Sequence, residues 1–384
     1  MNIRTSSARP YIAAATASAF LFGAALHAAA QSVTLYGVAD AAVIAQKSGA
    51  LNTGTVTTVG SGVNGGSRWG LRGEEALDDG LKAVFQLEQG FDIDTGAASS
   101  YAGNPSTATP TSPNGTTGTG FNRRAYAGLE TRLGTLTLGR DYTPFYFAAL
   151  GADIFRLGMF GNLQTTVAPA GGSERFARVS NAIFYLSPDL HGLRLRAVYS
   201  LGSESAGGPG QPPKGANRFA GLGAEYTHGD LYLTASYQTL EFPVVSGTPA
   251  AFTGATEHRN DGLVGVKYDF GSFALAAGYW RMGAPQSVSD AWLGASLKLG
   301  PGTVLAQVQR FRQDNPAGVE RKGTALGLAY TYPLSKRTTL YASYGRTTNN
   351  ATGSFGVTSS GVSLAAGAVG ADPSALAVGM RHNF

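Results

Sequence analysis

The chain has 384 residues, of which 54 are glycine, about twice ordinary usage, and only 14% are charged, against about a quarter in a typical soluble domain. Cysteine is absent and there are five histidines, which excludes a disulfide scaffold and thiolate metal centres and argues against a histidine-rich metal site. The net charge is +5, but the basic residues are scattered without a lysine-rich run, so no nucleic-acid partner is expected.

Residues 1–30 read as a secretory signal peptide. Arg4 and Arg9 supply a positive start, residues 11–25 are apolar, and Ala28, Ala29 and Ala30 place small side chains before Gln31. The apolar run is shorter than the roughly 20 residues a spanning helix needs. The expected division is a leader at 1–30 and a single domain at 31–384. Loss of Arg4 and Arg9 leaves 27 of the 29 basic residues against 24 acids, so the exported chain is nearly neutral.

From residue 31 onward the recurring pattern is alternation with period two, the mark of strands whose faces meet different surroundings. Residues 231–238 (LYLTASYQ) and 193–199 (LRLRAVY) are clear cases. Seven tight turn signals punctuate the chain, at 78–80, 132–134, 188–192, 228–230, 270–272, 300–302 and 333–336. Eight longer, polar, glycine-rich segments alternate with them, at 47–66, 95–120, 142–173, 202–216, 242–256, 283–287, 314–319 and 349–373. Fifteen connections join sixteen strands. The predicted fold is therefore all-β: a 16-stranded antiparallel transmembrane β-barrel with short periplasmic turns and long extracellular loops. In lipid every backbone amide must be paired, so the sheet must close, with one face in hydrocarbon and the other in water. That explains a mean hydropathy of −0.04 in a membrane protein. Tyr226, Tyr268, Phe270, Phe273, Tyr330, Tyr332 and Tyr341 lie beside the short turns and are expected to form the periplasmic aromatic girdle. A secreted sandwich or propeller would also alternate, but would not need this rhythm of short and long connections.

Both ends of the domain begin and finish in strand pattern: QSVTLYGVADAAVI at 31–44 and ALAVGMRHNF up to Phe384. With SRWGLRGEEALDDGLKAVFQLE at 67–88 and NRRAYAGLETRLGTLTLGRDYTP at 122–144, these segments resemble the Gram-negative porin family, the trimeric general-diffusion porins. The resemblance covers essentially all of 31–384. It implies an outer-membrane location, a homotrimer, passive diffusion of small hydrophilic solutes and ions, and no cofactor. It also implies that Phe384 is the signal read by the outer-membrane assembly machinery, and that the third extracellular loop folds into the barrel.

That loop, 142–173, is unusually apolar and aromatic for a segment left in water, which fits one side packing on the inner wall. Sixteen strands leave an aqueous channel. By strand parity Arg68, Arg72, Arg124 and Arg178 point inward, with Arg123 the substitute for Arg124 should the strand slip by one residue. Asp153 and Arg156 are the charges in the middle of the loop. These six residues are the expected constriction. Asp40, Glu74, Glu88, Arg194 and Arg196 are further lumen charges, Glu74 low in the barrel. An excess of positive charge opposite a nearly neutral loop predicts weak anion preference, unless the arginines merely pair with carboxylates. The alternatives are a substrate-specific channel and, from another class, a barrel hydrolase. The latter would need a histidine beside an inward serine and acid; His191 and His228 fall at turns, His258 near a long loop and His382 on the outward parity.

Overall fold

The alternation that starts at Val33 becomes strand β1, Ser32–Lys47. Val33, Leu35 and Val43 are more than half exposed, whereas Val38, Asp40, Ala42 and Ile44 are buried. Odd residues therefore face outward and even residues inward. The computed structural model describes residues 32–78, 80–99, 108–109, 120–166, 177–205, 207–283, 287–314 and 318–384. The expected leader at 1–30 and most of the connection at 95–120 lie outside these residues.

Strand β2 runs in two segments, Val56–Ser61 and Arg68–Asp78, followed by β3 (Leu81–Gly90), β4 (Arg124–Thr131), β5 (Gly134–Tyr142) and β6 (Arg178–Leu186). Next come β7 (Leu193–Ser200), β8 (Phe219–His228), β9 (Leu231–Ser246), β10 (Ala251–Asp269) and β11 (Phe273–Met282). The last five are β12 (Val288–Leu299), β13 (Gly302–Gln313), β14 (Arg321–Pro333), β15 (Thr338–Asn349) and β16 (Ser374–Asn383). Each strand pairs antiparallel with its neighbours in sequence. β16 returns to β1, with Val38 opposite Asn383 through to Lys47 opposite Ser374. The sheet is a closed 16-stranded barrel with no free edge, which satisfies the backbone in hydrocarbon.

The seven tight turns fall where the sequence places them. Three expectations are corrected. Residues 242–256 are not an open loop: β9 continues to Ser246 and β10 starts at Ala251, so this hairpin extends past the others. Residues 47–66 contain the first segment of β2, which folds back on Gln46 through Ala41 of β1. Tyr341 does not join the girdle. It faces inward, 3% exposed, and its hydroxyl donates to the buried Asp40 carboxylate.

Phe384 closes the circuit. Its N–H donates to the Gly37 carbonyl at 3.1 Å, and the Gly37 N–H donates to the Phe384 carbonyl at 3.0 Å. The ring of Phe384 covers the outer side of Gly37, where any Cβ would collide with it. Gly37→Val should unseat the ring, at an overpacking cost of about 1–3 kcal/mol. The expected result is a lower yield of heat-modifiable folded barrel on refolding into detergent. An unchanged yield would show that the seat for Phe384 is dispensable.

Candidate pore constriction

The third long connection starts with a helix signal. Thr143 is the N-cap, its hydroxyl accepting from the Tyr146 N–H at 3.1 Å, and Pro144 occupies the first turn, where a missing N–H costs nothing. The helix α1 (Pro144–Ala152) ends at Asp153, whose N–H donates to the Ala149 carbonyl at 2.9 Å. Phe145, Ala148, Ala149 and Ala152 are buried against the inner wall with Leu263, Trp280 and Trp292. The loop then turns through left-handed Arg156, Leu157 and Met159, with φ of 54°, 57° and 46°. A 3-10 turn at Leu163–Thr166 follows.

The wall is shaped to receive this loop, and here the high glycine content acquires a reason. Inward-facing glycines mark its path. A Cβ on Gly223 would lie 2.9 Å from Pro144, one on Gly265 2.5 Å from Ala152, and one on Gly294 2.9 Å from Ile154. A Cβ on Gly327 would lie 2.6 Å from Phe155 and from the Phe160 carbonyl, and one on Gly345 2.6 Å from Phe160. Gly345, Gly327, Gln307 and Gly294 are successive partners in one row across β15 to β12. Gln307 accepts from the Ile154 N–H at 3.3 Å, and Gln309 donates to the Asn162 carbonyl at 3.0 Å. Across the lumen, the break between the two segments of β2 turns Val63 inward, where its carbonyl accepts from the Met159 N–H at 2.7 Å. A small hairpin in the last connection, Val357–Thr358 with Ser363–Leu364, also dips inside. Its Thr358 carbonyl accepts from the Gly161 N–H at 3.2 Å.

The loop packs on the β8–β15 side and leaves within the lumen a cavity of about 550 Å³, lined by the loop and by residues of β2 to β5, β13, β14 and β16. Five guanidinium groups border it: Arg68, Arg123, Arg124, Arg156 and Arg381. Glu88 is buried beneath them, paired with Arg123 at 2.7 Å and Arg68 at 3.4 Å, and accepts from Tyr36 at 2.9 Å. Arg124 pairs with Asp141 at 2.7 Å. Arg156 is the exposed residue at the loop's turn, so the loop side of the lumen is cationic rather than nearly neutral. Arg381 is half-buried, with the charges of Arg68 and Arg156 both within electrostatic reach.

Three of the six expected constriction residues, Asp153, Arg178 and Arg72, lie elsewhere. Asp153 does not face the lumen. It is 1% exposed, and its carboxylate accepts from the N–H groups of Phe155 at 3.2 Å and Leu157 at 2.9 Å, so it shapes the loop. Arg178 is buried behind Tyr142, whose phenol oxygen accepts from Arg178 and from Arg123, each at 2.6 Å. Arg72 faces the lumen lower down, 5.6 Å above the Tyr36 ring. Of the further lumen charges, Asp40 is fully buried under the Tyr341 hydroxyl and the Asn64 N–H. Glu74 lies low, 3.6 Å from Lys82. Arg194 sits by a periplasmic turn, 3.6 Å from Asp189. Arg196 pairs with Glu225 at 2.7 Å and lies 3.8 Å over the Phe147 ring of α1. Arg381 escapes the sequence reading, although its parity opposite that of Phe384 marks it as inward.

A barrel of sixteen strands narrowed by its third loop is matched by sequence. The family description "Gram-negative porin" matches residues 13–352. The chain belongs to the Gram-negative porin family. It is 27% identical to outer membrane porin protein 32 of Delftia acidovorans, over 93% of this chain and 95% of that one. It is 29% identical to an outer membrane porin protein of Bordetella pertussis, over 84% of each. Among solved structures it is similar to an anion-selective porin from Comamonas acidovorans, with a TM-score of 0.70 and 26% identity over 92% of this chain and all of that one. This porin is thus an outer-membrane β-barrel and a passive diffusion channel for small hydrophilic solutes. The lumen beside the third loop provides the path.

Proposed function

We propose that this porin passes small anions in preference to cations, with no catalytic activity, and that selection occurs where the third loop meets the wall of β16 and β1 to β5. The observation that carries this reading is the imbalance at the lumen. Five guanidinium groups border it against one carboxylate, Glu88, itself paired with Arg123 and Arg68, while Asp141 is paired with Arg124 and Asp40 is held in the wall by Tyr341 and Asn64. A positive field confined by low-dielectric walls raises the local anion concentration. The similarity to an anion-selective porin supports the same sign. The loop side of the lumen offers Tyr146 and Phe147 together with Leu150, Ile154, Phe155 and Leu157. General diffusion is favoured over a substrate-specific channel by the relatives named as porins. A hydrolase is disfavoured because, among the described residues, no histidine is hydrogen-bonded to both a hydroxyl and a carboxylate; His382 meets only the Thr338 hydroxyl, at 2.9 Å.

Assembly belongs to the same proposal. The outward positions Ala39 and Ala41 give β1 a small-residue face that suits close protein contact, so the working unit is a homotrimer, with Phe384 as the terminal signal for the assembly machinery. One purified sample tests both parts. It should sediment as a trimer in mild detergent. In liposomes it should admit neutral sugars with a smooth size cutoff and no saturation. Under a salt gradient its zero-current potential should have the anion sign. A monomer would overturn the assembly reading, and a cation-signed potential the selectivity reading.

A further inference from the structure

Below the first turn of α1 the inner wall holds a second, smaller hollow, about 90 Å³. Its wall comes from β4 to β7. Leu136, Leu138, Ile183, Tyr185 and Leu195 are exposed on the outer face, which turns Thr135, Thr137, Phe184 and Arg196 inward. Tyr126 completes the wall, and Pro144 and Phe147 of α1 form the roof. The register explains the gap. Thr137 sits between Gly128 and Phe184, and Tyr126 is opposite Gly139, so two inward positions carry no side chain. Thr135 directly follows the turn at 132–134, which places the hollow on the periplasmic side of the constriction. Tyr142 and Phe147 line both this hollow and the cavity at the constriction, so the two spaces adjoin.

Two opposite charges face the hollow, Asp141 and Arg196. They lie within electrostatic reach of each other. Among the described residues no ion pair joins them, because each is tied back to a partner outside the hollow. Asp141 accepts through Oδ1 from Arg124 at 2.7 Å and from the Tyr142 N–H at 2.7 Å, which leaves Oδ2 for a guest. Arg196 donates through Nε to Glu225 at 2.7 Å, which leaves its Nη groups. Glu225 is held in turn by the Tyr232 hydroxyl at 2.9 Å. From the roof, the Phe147 ring lies 3.8 Å from the Arg196 guanidinium. A carboxylate and a guanidinium are thus held apart across a small, partly aromatic space.

We propose that this hollow is a subsite for a small zwitterion, an α-amino acid with a short side chain, its ammonium on Asp141 and its carboxylate on Arg196. A lone anion would gain from Arg196 and be repelled by Asp141, and a lone cation the reverse. Only a solute carrying both charges gains from both. A guanidinium takes a carboxylate in a bidentate fork, and the hydroxyls of Thr135 and Thr137 supply further hydrogen bonds. The rings of Tyr126 and Phe184 suit a short apolar side chain. A hollow of about 90 Å³ admits such a molecule but not a sugar ring. The subsite detains one class of solute beside a path open to many. It is independent of the anion preference, because the zwitterion has no net charge.

The test is saturation-transfer NMR of the detergent-solubilised protein titrated with L-alanine. The signal from L-alanine should saturate. Propionate, which lacks the ammonium, and ethylamine, which lacks the carboxylate, should each bind about tenfold more weakly, given the worth of charged hydrogen bonds. L-Phenylalanine, too large for the hollow, should fail to displace L-alanine. Arg196→Gln, which keeps a donor for Glu225 but loses the charge, should weaken L-alanine about tenfold. Thr137→Leu, which fills the hollow and leaves both charges, should weaken it several-fold. Heat-modifiable migration in a gel shows that each variant has folded. A non-saturating L-alanine signal, equal binding of propionate or ethylamine, displacement by L-phenylalanine, or wild-type affinity in either folded variant would each overturn the proposal. The zero-current potential under a salt gradient reads the anion preference separately, so either reading can fail alone.

Discussion

Replacing Arg68, Arg156 and Arg381 together by alanine should remove most of the anion preference at low salt. These three guanidinium groups border the lumen without being the main partner of a buried acid. Glu88 keeps Arg123 at 2.7 Å and Tyr36 at 2.9 Å, and Asp40 keeps its donors from Tyr341 and Asn64. Arg124 is left in place because its loss would strand Asp141. For an ion passing about 7 Å from a unit charge in water-like surroundings, the attraction is roughly 0.6 kcal/mol, or nearly threefold in local concentration. Three such charges, partly screened, amount to on the order of a tenfold fall in the anion-over-cation permeability ratio. The Debye length is about 10 Å at 0.1 M salt and about 3 Å at 1 M, so wild type and variant should converge at high salt. The measurement is the zero-current potential across a planar bilayer at both ionic strengths. A variant potential equal to wild type at low salt would mean that these arginines are not the filter.

Gly327→Leu and Gly345→Leu should each disturb the pore from behind the loop. Both glycines face inward under Phe160, and a Cβ at either would stand 2.6 Å from it. Carbon contacts need about 3.5–4.0 Å, so the loop must retreat about 1 Å into the lumen even before the rest of the leucine is placed. The expected cost is about 1–3 kcal/mol for each overpacked site. It should be read as a lower melting temperature together with reduced single-channel conductance. Gly262→Ala, whose Cβ meets nothing within 4 Å, should change neither. Full conductance in both leucine variants would show that the loop's seat does not set the pore's width.

Much of the barrel was legible in the sequence, because its causes are local. Period-two alternation states which face each residue takes, and this placed Arg68, Arg72, Arg124, Arg194 and Arg196 on the inner side. Turn chemistry at 78–80, 132–134 and 300–302 marked where the chain reverses. The site was legible only in part, because parity gives a face but neither a height nor a depth. Parity sent Arg178 inward, yet Tyr142 lies between it and the lumen. Composition put an acid and a base in the third loop, but only the fold turned Asp153 onto the backbone N–H groups of Phe155 and Leu157 while leaving Arg156 exposed.

Alternation and turn chemistry are properties of neighbouring residues, and they were enough to specify a closed sixteen-stranded sheet and which face of each strand looks inward. Where the channel narrows was settled only by the folded chain. The loop is held by Gln307 and Gln309, about 150 positions away from their partners, by Val63 at the break in β2, and by glycines spread over five strands. No local pattern links such groups. They come together only because closing the barrel brings opposite walls within reach of one folded segment.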